Sequence, residues 1–179
     1  MLRTHTCNEL TLNHIGETVK LTGWVDTIRD HGGVIFVDLR DHYGITQVVL
    51  SDDSMMRGIS KETVILVQGQ VTRRAEETVN PKLATGMIEV RVEALEILGP
   101  NLLSLPFDIS NSTQTREDVR LKYRFLDLRN PAVKSNIILR CQVVAELRRL
   151  MTEKGFLEIT TPILTASSAA GPCLISAPP

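Results

Sequence analysis

The sequence predicts a mainly β protein with α-helical additions, in which a five-stranded barrel precedes the first helix and strand of an α+β unit. Three observations predict this. Apolar residues alternate with period two in several runs between Val19 and Gly99, each broken by turn residues. The stretch from Gly99 to Ser112 is dense in Pro, Asn and Ser and has no sustained period. Beyond Pro131 the apolar spacing changes to three or four residues, the spacing of a helix with one apolar stripe.

The first strand is expected over residues 19–28, ended by Asp30-His31-Gly32-Gly33, where the two glycines read as a hairpin turn. Strands over 34–41 and 45–51 follow, separated by a turn at Gly44. Residues 52–60 are polar but carry Met55, Met56 and Ile59, enough for a short helix. Two more strands, 63–74 and 87–98, flank a loop around Asn80-Pro81 and Gly86. Five strands with a short helix between the third and fourth is the order of an OB fold, a small barrel often used on oligonucleotides. Residues 113–129 read as a short helix with an extended continuation. Asn130 is an N-cap and Pro131 a first helical residue whose missing N–H costs nothing there. Val133, Ile137, Cys141, Val144, Leu147 and Met151 then mark about six turns, ended by Gly155. A strand is expected over 156–159, stopped by Thr161-Pro162. Residues 166–179 are small residues and prolines with no room for a second core. The expected division is 1–103 for the barrel, 104–130 for a linker or hinge and 131–179 for the start of a second domain, inside which the chain is expected to stop.

At 42% hydrophobic and 23% charged residues, the 179-residue chain has the composition of a soluble globular protein. Its longest apolar runs fall far short of the roughly 20 residues of a membrane helix, and the N-terminus lacks the apolar core of a signal peptide. No membrane partner is expected. Cys7, Cys141 and Cys173 are too scattered for a disulfide framework, which fits a reducing, cytoplasmic setting. Twenty Lys and Arg against 21 Asp and Glu give a net charge of −1, so nucleic-acid binding must rest on local placement. His5, His14, His31 and His42 show no metal-ligand spacing, and no phosphate-binding glycine loop is present. Ser167-Ser168 has no His near it in sequence to make a nucleophile. No catalytic residue and no metal ligand are therefore expected.

Binding candidates come from the strands. Alternation turns Ile35, Val37 and Leu39 to the core and leaves Phe36 on the other face beside Val34 and Asp38. An outward aromatic in mid-strand is a platform for an unstacked base or a ring packed under a loop; pattern alone favours the second. Gln47 is an amide in an apolar strand, able to donate and accept at a base edge, although such a residue is more often solvated. Arg29 and Arg73-Arg74 end the first and fourth strands and would form a cationic rim if those ends converge. Trp24 is expected to pack in the core at the barrel rim.

Three strings add a resemblance. GWVDTIRDHGGVIFVDLRDHYGITQVV resembles the anticodon-binding barrel of aspartyl-tRNA synthetases, RLKYRFLDLRNP their hinge region, and GFLEITTPILT their class II motif 1. The likeness runs from about Leu2 to Ser168. It implies a ligase that uses ATP and Mg²⁺ to activate aspartate and attach it to tRNA. It also implies that Phe36 stacks on the central anticodon base, that Gln47 reads that base, a uridine, and that Arg29, Arg74 and Glu89 stand near the anticodon loop. Phe156, Leu157 and Pro162 fall in motif 1, the homodimer interface of the family. After PILT the chain departs from the family, with Ala170 where a glutamate used in aspartate binding is expected. Its ending LISAPP resembles nothing in the family, and motifs 2 and 3 are absent, so a truncated or frame-altered product, inactive alone and holding no cofactor, is expected. A free-standing OB module for tRNA or single strands, and a lysyl- or asparaginyl-tRNA synthetase fragment, are the alternatives.

Overall fold

The computed structural model describes residues 2–160. Two compact units divide the chain, Met1–Ser104 and Leu105–Pro179.

In the first unit, β1 (Thr18–His31), β2 (Val34–Arg40), β3 (Ile45–Leu50), β4 (Val64–Arg73) and β5 (Ile88–Gly99) close into a barrel of order β1-β2-β3-β5-β4. The long β1 serves two neighbours: Thr18 to Trp24 pair antiparallel with β4, and Trp24 to His31 with β2. Where it passes from one to the other sits Gly23, at which a Cβ would lie 2.5 Å from the Arg40 carbonyl oxygen. The β3–β5 seam is parallel and is recorded at Val48↔Val90 and Val49↔Arg91. The other neighbouring strands pair antiparallel.

The alternation anticipated in the sequence fills this barrel. Val19, Leu21, Val25, Ile35, Val37, Leu39, Val48, Leu50, Ile65, Val67, Val71, Ile88 and Val90 form one buried core, joined by Cys7 and Leu10 from the N-terminal segment. Burying each such aliphatic side chain contributes roughly 1.5–3 kcal/mol. Gly32 and Gly33 have φ of 68° and 96°, the two positive values of a hairpin turn whose twist matches its strands.

Several expectations change. β1 runs to His31 rather than residue 28, because the pairs Asp30↔Ile35 and His31↔Val34 continue the ladder to the turn. The helix expected over 52–60 is only a 3₁₀ turn, Asp53–Met56, with the Asp52 side chain accepting from the Ser54 N–H. Arg57 is already extended, and Gly58 turns left-handed at φ 79°. Trp24 is not in the core; it lies on the outer face with the Arg40 guanidinium 5.6 Å from its ring centroid.

In the second unit, the stretch that reads as a linker packs on itself. Phe107 and Ile109 are buried with Leu126, against Leu105, Val119 and Tyr123. A 3₁₀ segment, Ile109–Gln114, leads into α1 (Glu117–Lys122) and α2 (Arg124–Asp127), so two short helices replace the expected helix and extended continuation. The fully buried Asp127 carboxylate joins them by accepting from Ser112 Oγ (2.7 Å), from the Arg120 guanidinium (3.1 and 3.3 Å) and from Arg124. Asn130 caps α3 (Pro131–Glu153) by accepting from the Ala132 N–H at 2.9 Å, with Pro131 in the first turn. Gly155, at φ 85°, follows its end. Of the predicted stripe only Val133 is buried. The strand expected over 156–159 does not form: a strand requires a hydrogen-bonding neighbour, and no strand is present among the described residues of this unit. Thr161-Pro162, expected to stop it, lies outside the described residues.

Candidate nucleic-acid interface

Register builds the outer face of the barrel. Arg29 on β1 stands opposite Phe36 on β2, and Asp38 on β2 stands opposite Gln47 on β3. With Ile35, Val37 and Leu39 inward, Phe36 and Asp38 are left half-buried on the outside. The His31 ring meets Phe36 edge-on, with centroids 5.6 Å apart and planes at 74°.

Hydrogen bonds tie the polar groups together. Arg29 Nη2 donates to Asp38 Oδ1 (2.8 Å) and to Gln47 Oε1 (3.3 Å). Gln47 Nε2 donates to Glu89 Oε2 at 3.1 Å. Arg74 reaches in from the end of β4, its Nε donating to the Ile88 carbonyl (2.9 Å) and its Nη1 to the Thr78 carbonyl (3.4 Å). Its Nη2 is buried with no hydrogen-bond partner among the described residues. Arg29, His31, Phe36, Gln47, Arg74 and Thr78 line one cavity of about 390 Å³. Of the residues singled out in the sequence, Arg29, Phe36, Gln47 and Arg74 thus share a cavity, and Glu89 adjoins it through Gln47. Arg73 is exposed on the other side of its strand.

Burial sets the electrostatics. It pushes the Asp38 carboxyl above the usual carboxylate range, against the pull of Arg29 and Arg74. It also lowers the Arg74 guanidinium from its ordinary value, opposed by Glu89 and Asp38, although a guanidinium stays cationic. The cavity therefore offers an aromatic wall, an amide held by its neighbours, and a largely buried cation. That set suits a flat heteroaromatic group with hydrogen-bonding edges.

Sequence reasoning did not place His31 and Thr78 in this group. Asp38 reads from alternation as sharing Phe36's outward face, but not as a binding residue. His31 read only as part of a turn, and Thr78 carries no signal in a loop. The histidines that looked unrelated are brought together elsewhere: ligand atoms of His5, His14 and Glu17 lie within 4.8 Å of one another. His14 Nδ1, however, accepts from the Thr11 N–H at 3.1 Å, which puts the neutral ring's proton on Nε2 and leaves no lone pair there for a cation. In the second unit, Phe156 and Leu157 are 58% and 86% exposed. With Leu147, Arg148, Met151, Thr152 and Glu158 they line a cavity of about 300 Å³.

Residues 19–98 match the family of the OB-fold nucleic acid binding domain, and residues 116–174 match the class II tRNA synthetases for D, K and N. The chain is 51% identical over 177 residues to the aspartate-tRNA(Asp/Asn) ligase of Anaplasma phagocytophilum, covering 96% of this chain and 29% of that protein. The chain belongs to the aspartyl-tRNA synthetase family. The corresponding ligase of Rickettsia prowazekii is 51% identical over 175 residues, again 29% of its length, so the chain spans under a third of these relatives. Among solved structures, the asparaginyl-tRNA synthetase of Pyrococcus horikoshii aligns with a TM-score of 0.76 and 26% identity, over 92% of this chain and 39% of that one. A putative aspartyl-tRNA synthetase from Leishmania major shares the fold at a TM-score of 0.80 and 24% identity, over 89% and 35%. A synthetase match beyond the barrel distinguishes this family member from a free-standing OB module.

Proposed function

We propose that the barrel binds the anticodon loop of aspartate tRNA, as the tRNA-recognising part of an aspartate-tRNA ligase. One observation carries this reading: Phe36, Gln47 and Arg74 line a single cavity. A base stacked on Phe36 would present its edge to Gln47, and a base or phosphate oxygen would satisfy Arg74. Arg29 and Glu89 hold the Gln47 amide at its two ends. The test is binding of the purified chain to an aspartate anticodon stem-loop. Phe36→Ala is expected to weaken it by ~1–3 kcal/mol, and unchanged affinity would mean that the ring only packs.

The full reaction uses ATP and Mg²⁺. Among the described residues of the second unit, Arg120 and Arg124 are committed to Asp127, Arg148 to Glu158, and Arg149 to Glu146 and Glu153. These guanidiniums do not fit a triphosphate site, and no chemical step is assigned to them. A second reading concerns assembly. On α3, Leu139, Val143, Leu147 and Met151 are 60, 50, 56 and 47% exposed. A helix apolar on more than one side is built to be covered, and a second copy meeting α3, Phe156 and Leu157 supplies that cover; Pro162 belongs to the same expected interface. No helix among the described residues is long and apolar enough to cross a membrane. The cytoplasm is the compartment this reading assigns.

A further inference from the structure

A glutamine amide is an ambiguous reader. Its N–H and C=O lie side by side, and turning it over exchanges them. Uridine presents O4 as acceptor and N3–H as donor, whereas cytidine presents N4–H as donor and N3 as acceptor, so the two pyrimidines demand opposite orientations of the same amide. A freely turning Gln47 would accept either.

Resting on the anticodon reading above, we propose that Asp38 and Glu89 are positioning residues that lock the Gln47 amide in one orientation and so make the barrel select uridine over cytidine. The lock has two ends. At the oxygen end, Arg29 Nη2 has two hydrogens, one taken by Asp38 Oδ1 at 2.8 Å and the other directed to Gln47 Oε1 at 3.3 Å. Asp38 lies directly across the β2–β3 ladder from Gln47, so it fixes the guanidinium where its second hydrogen must point at the amide. At the nitrogen end, the Glu89 carboxylate accepts from Gln47 Nε2 at 3.1 Å. Turning the amide over would face its NH₂ against the Arg29 donor and its oxygen against a carboxylate. Gln47 is 5% exposed, so water cannot readily relieve either clash. Once locked, the amide retains one N–H and one lone pair for the base, in a fixed order. Asp38 acts here through Arg29 without touching the ligand.

The experiment measures binding of the 179-residue chain to the aspartate anticodon stem-loop and to the same loop with its central uridine replaced by cytidine. The unaltered chain is expected to prefer uridine by on the order of ten- to a hundredfold. Asp38→Asn and Glu89→Gln are near-isosteric and relax one end of the lock each; both are expected to reduce that ratio several-fold, chiefly by improving relative binding of the cytidine loop. Phe36→Ala should weaken both loops alike and leave the ratio in place. If one carboxylate variant fails to fold, as judged by its thermal melt, the other decides. Equal loss for both loops would mean a merely structural role and overturn the lock, as would an unaltered chain that binds both loops equally. No binding of either loop by the unaltered chain would overturn the anticodon reading, and the lock with it.

Discussion

Arg74 joins opposing demands in one side chain. Its Nε satisfies the Ile88 carbonyl, while its Nη2 sits buried and unanswered. A buried donor without an acceptor costs about 1–3 kcal/mol, and an ordinary hydrogen bond contributes about 1 kcal/mol. Arg74→Met therefore removes the bond to Ile88 and the longer one to Thr78 on one side, and the buried unpaired donor on the other, contributions that largely offset. Its thermal stability is expected to stay within about 1 kcal/mol of the parent, while affinity for the anticodon stem-loop falls at least tenfold. A melt and a fluorescence-anisotropy titration check this, and a large loss of stability with unchanged affinity would make Arg74 a structural residue. The sequence marks Arg74 as a charge at a strand end, but nothing in the order of residues says that it turns inward while Arg73 turns out into solvent. Phe36 is the more legible residue, because alternation alone fixes its face. Its neighbour across the ladder, Arg29, is not, because pairing register depends on where the Gly32-Gly33 turn sets the count.

At the scale of elements, strand positions were readable because every barrel strand has a dry inner face, and period two survives wherever that face is continuous. Where an element depends on a partner distant in sequence, the signal fails. The linker-like residues Phe107 and Ile109 are buried with Leu126, which comes back over them, and residues 156–159 carry strand-like composition without a neighbouring strand among the described residues. Two elements can be probed directly. On β4, Gly69 stands at a register shift against β5, and a Cβ there would lie 2.0 Å from the Arg91 carbonyl oxygen. Gly69→Ala must displace backbone and is expected to destabilise the barrel by about 1–3 kcal/mol or more, measurable by denaturant unfolding. In the second unit, burial opposes ionisation of Asp127, but its bonds from Ser112 and Arg120 and the nearby Arg124 outweigh this and hold the carboxyl below the usual range. A depressed folded value means that the unfolded chain takes up the proton first. The stability from this group is thus present above about pH 4 and is lost as pH falls toward the folded value. Asp127→Ala is expected to cost roughly 3 kcal/mol, since it strands partly buried arginines. Its acid unfolding curve should also be flatter than that of the parent; an unchanged curve would assign the acid sensitivity to other carboxylates.

For the whole molecule, recognition and chemistry are expected to separate. The chain spans 29% of the length of its ligase relatives, and Arg120, Arg124 and Arg148 of its second unit are paired with carboxylates. Incubated with ATP, Mg²⁺, aspartate and tRNA, the purified 179-residue protein is expected to form no aspartyl-tRNA above background while still binding the stem-loop; charging above background would contradict this. The parallel contact between β3 and β5 bears on how such binding is felt through the barrel. Strands held by short parallel stitching are where a cylinder should breathe first, and the bond from Gln47 to Glu89 crosses that line like a clasp. A nucleobase seated against Gln47 would tighten the clasp, so amide protons of Val48, Val49 and Val90 should trade with deuterium more slowly once RNA is bound, making the barrel's weakest join its most sensitive reporter of occupancy.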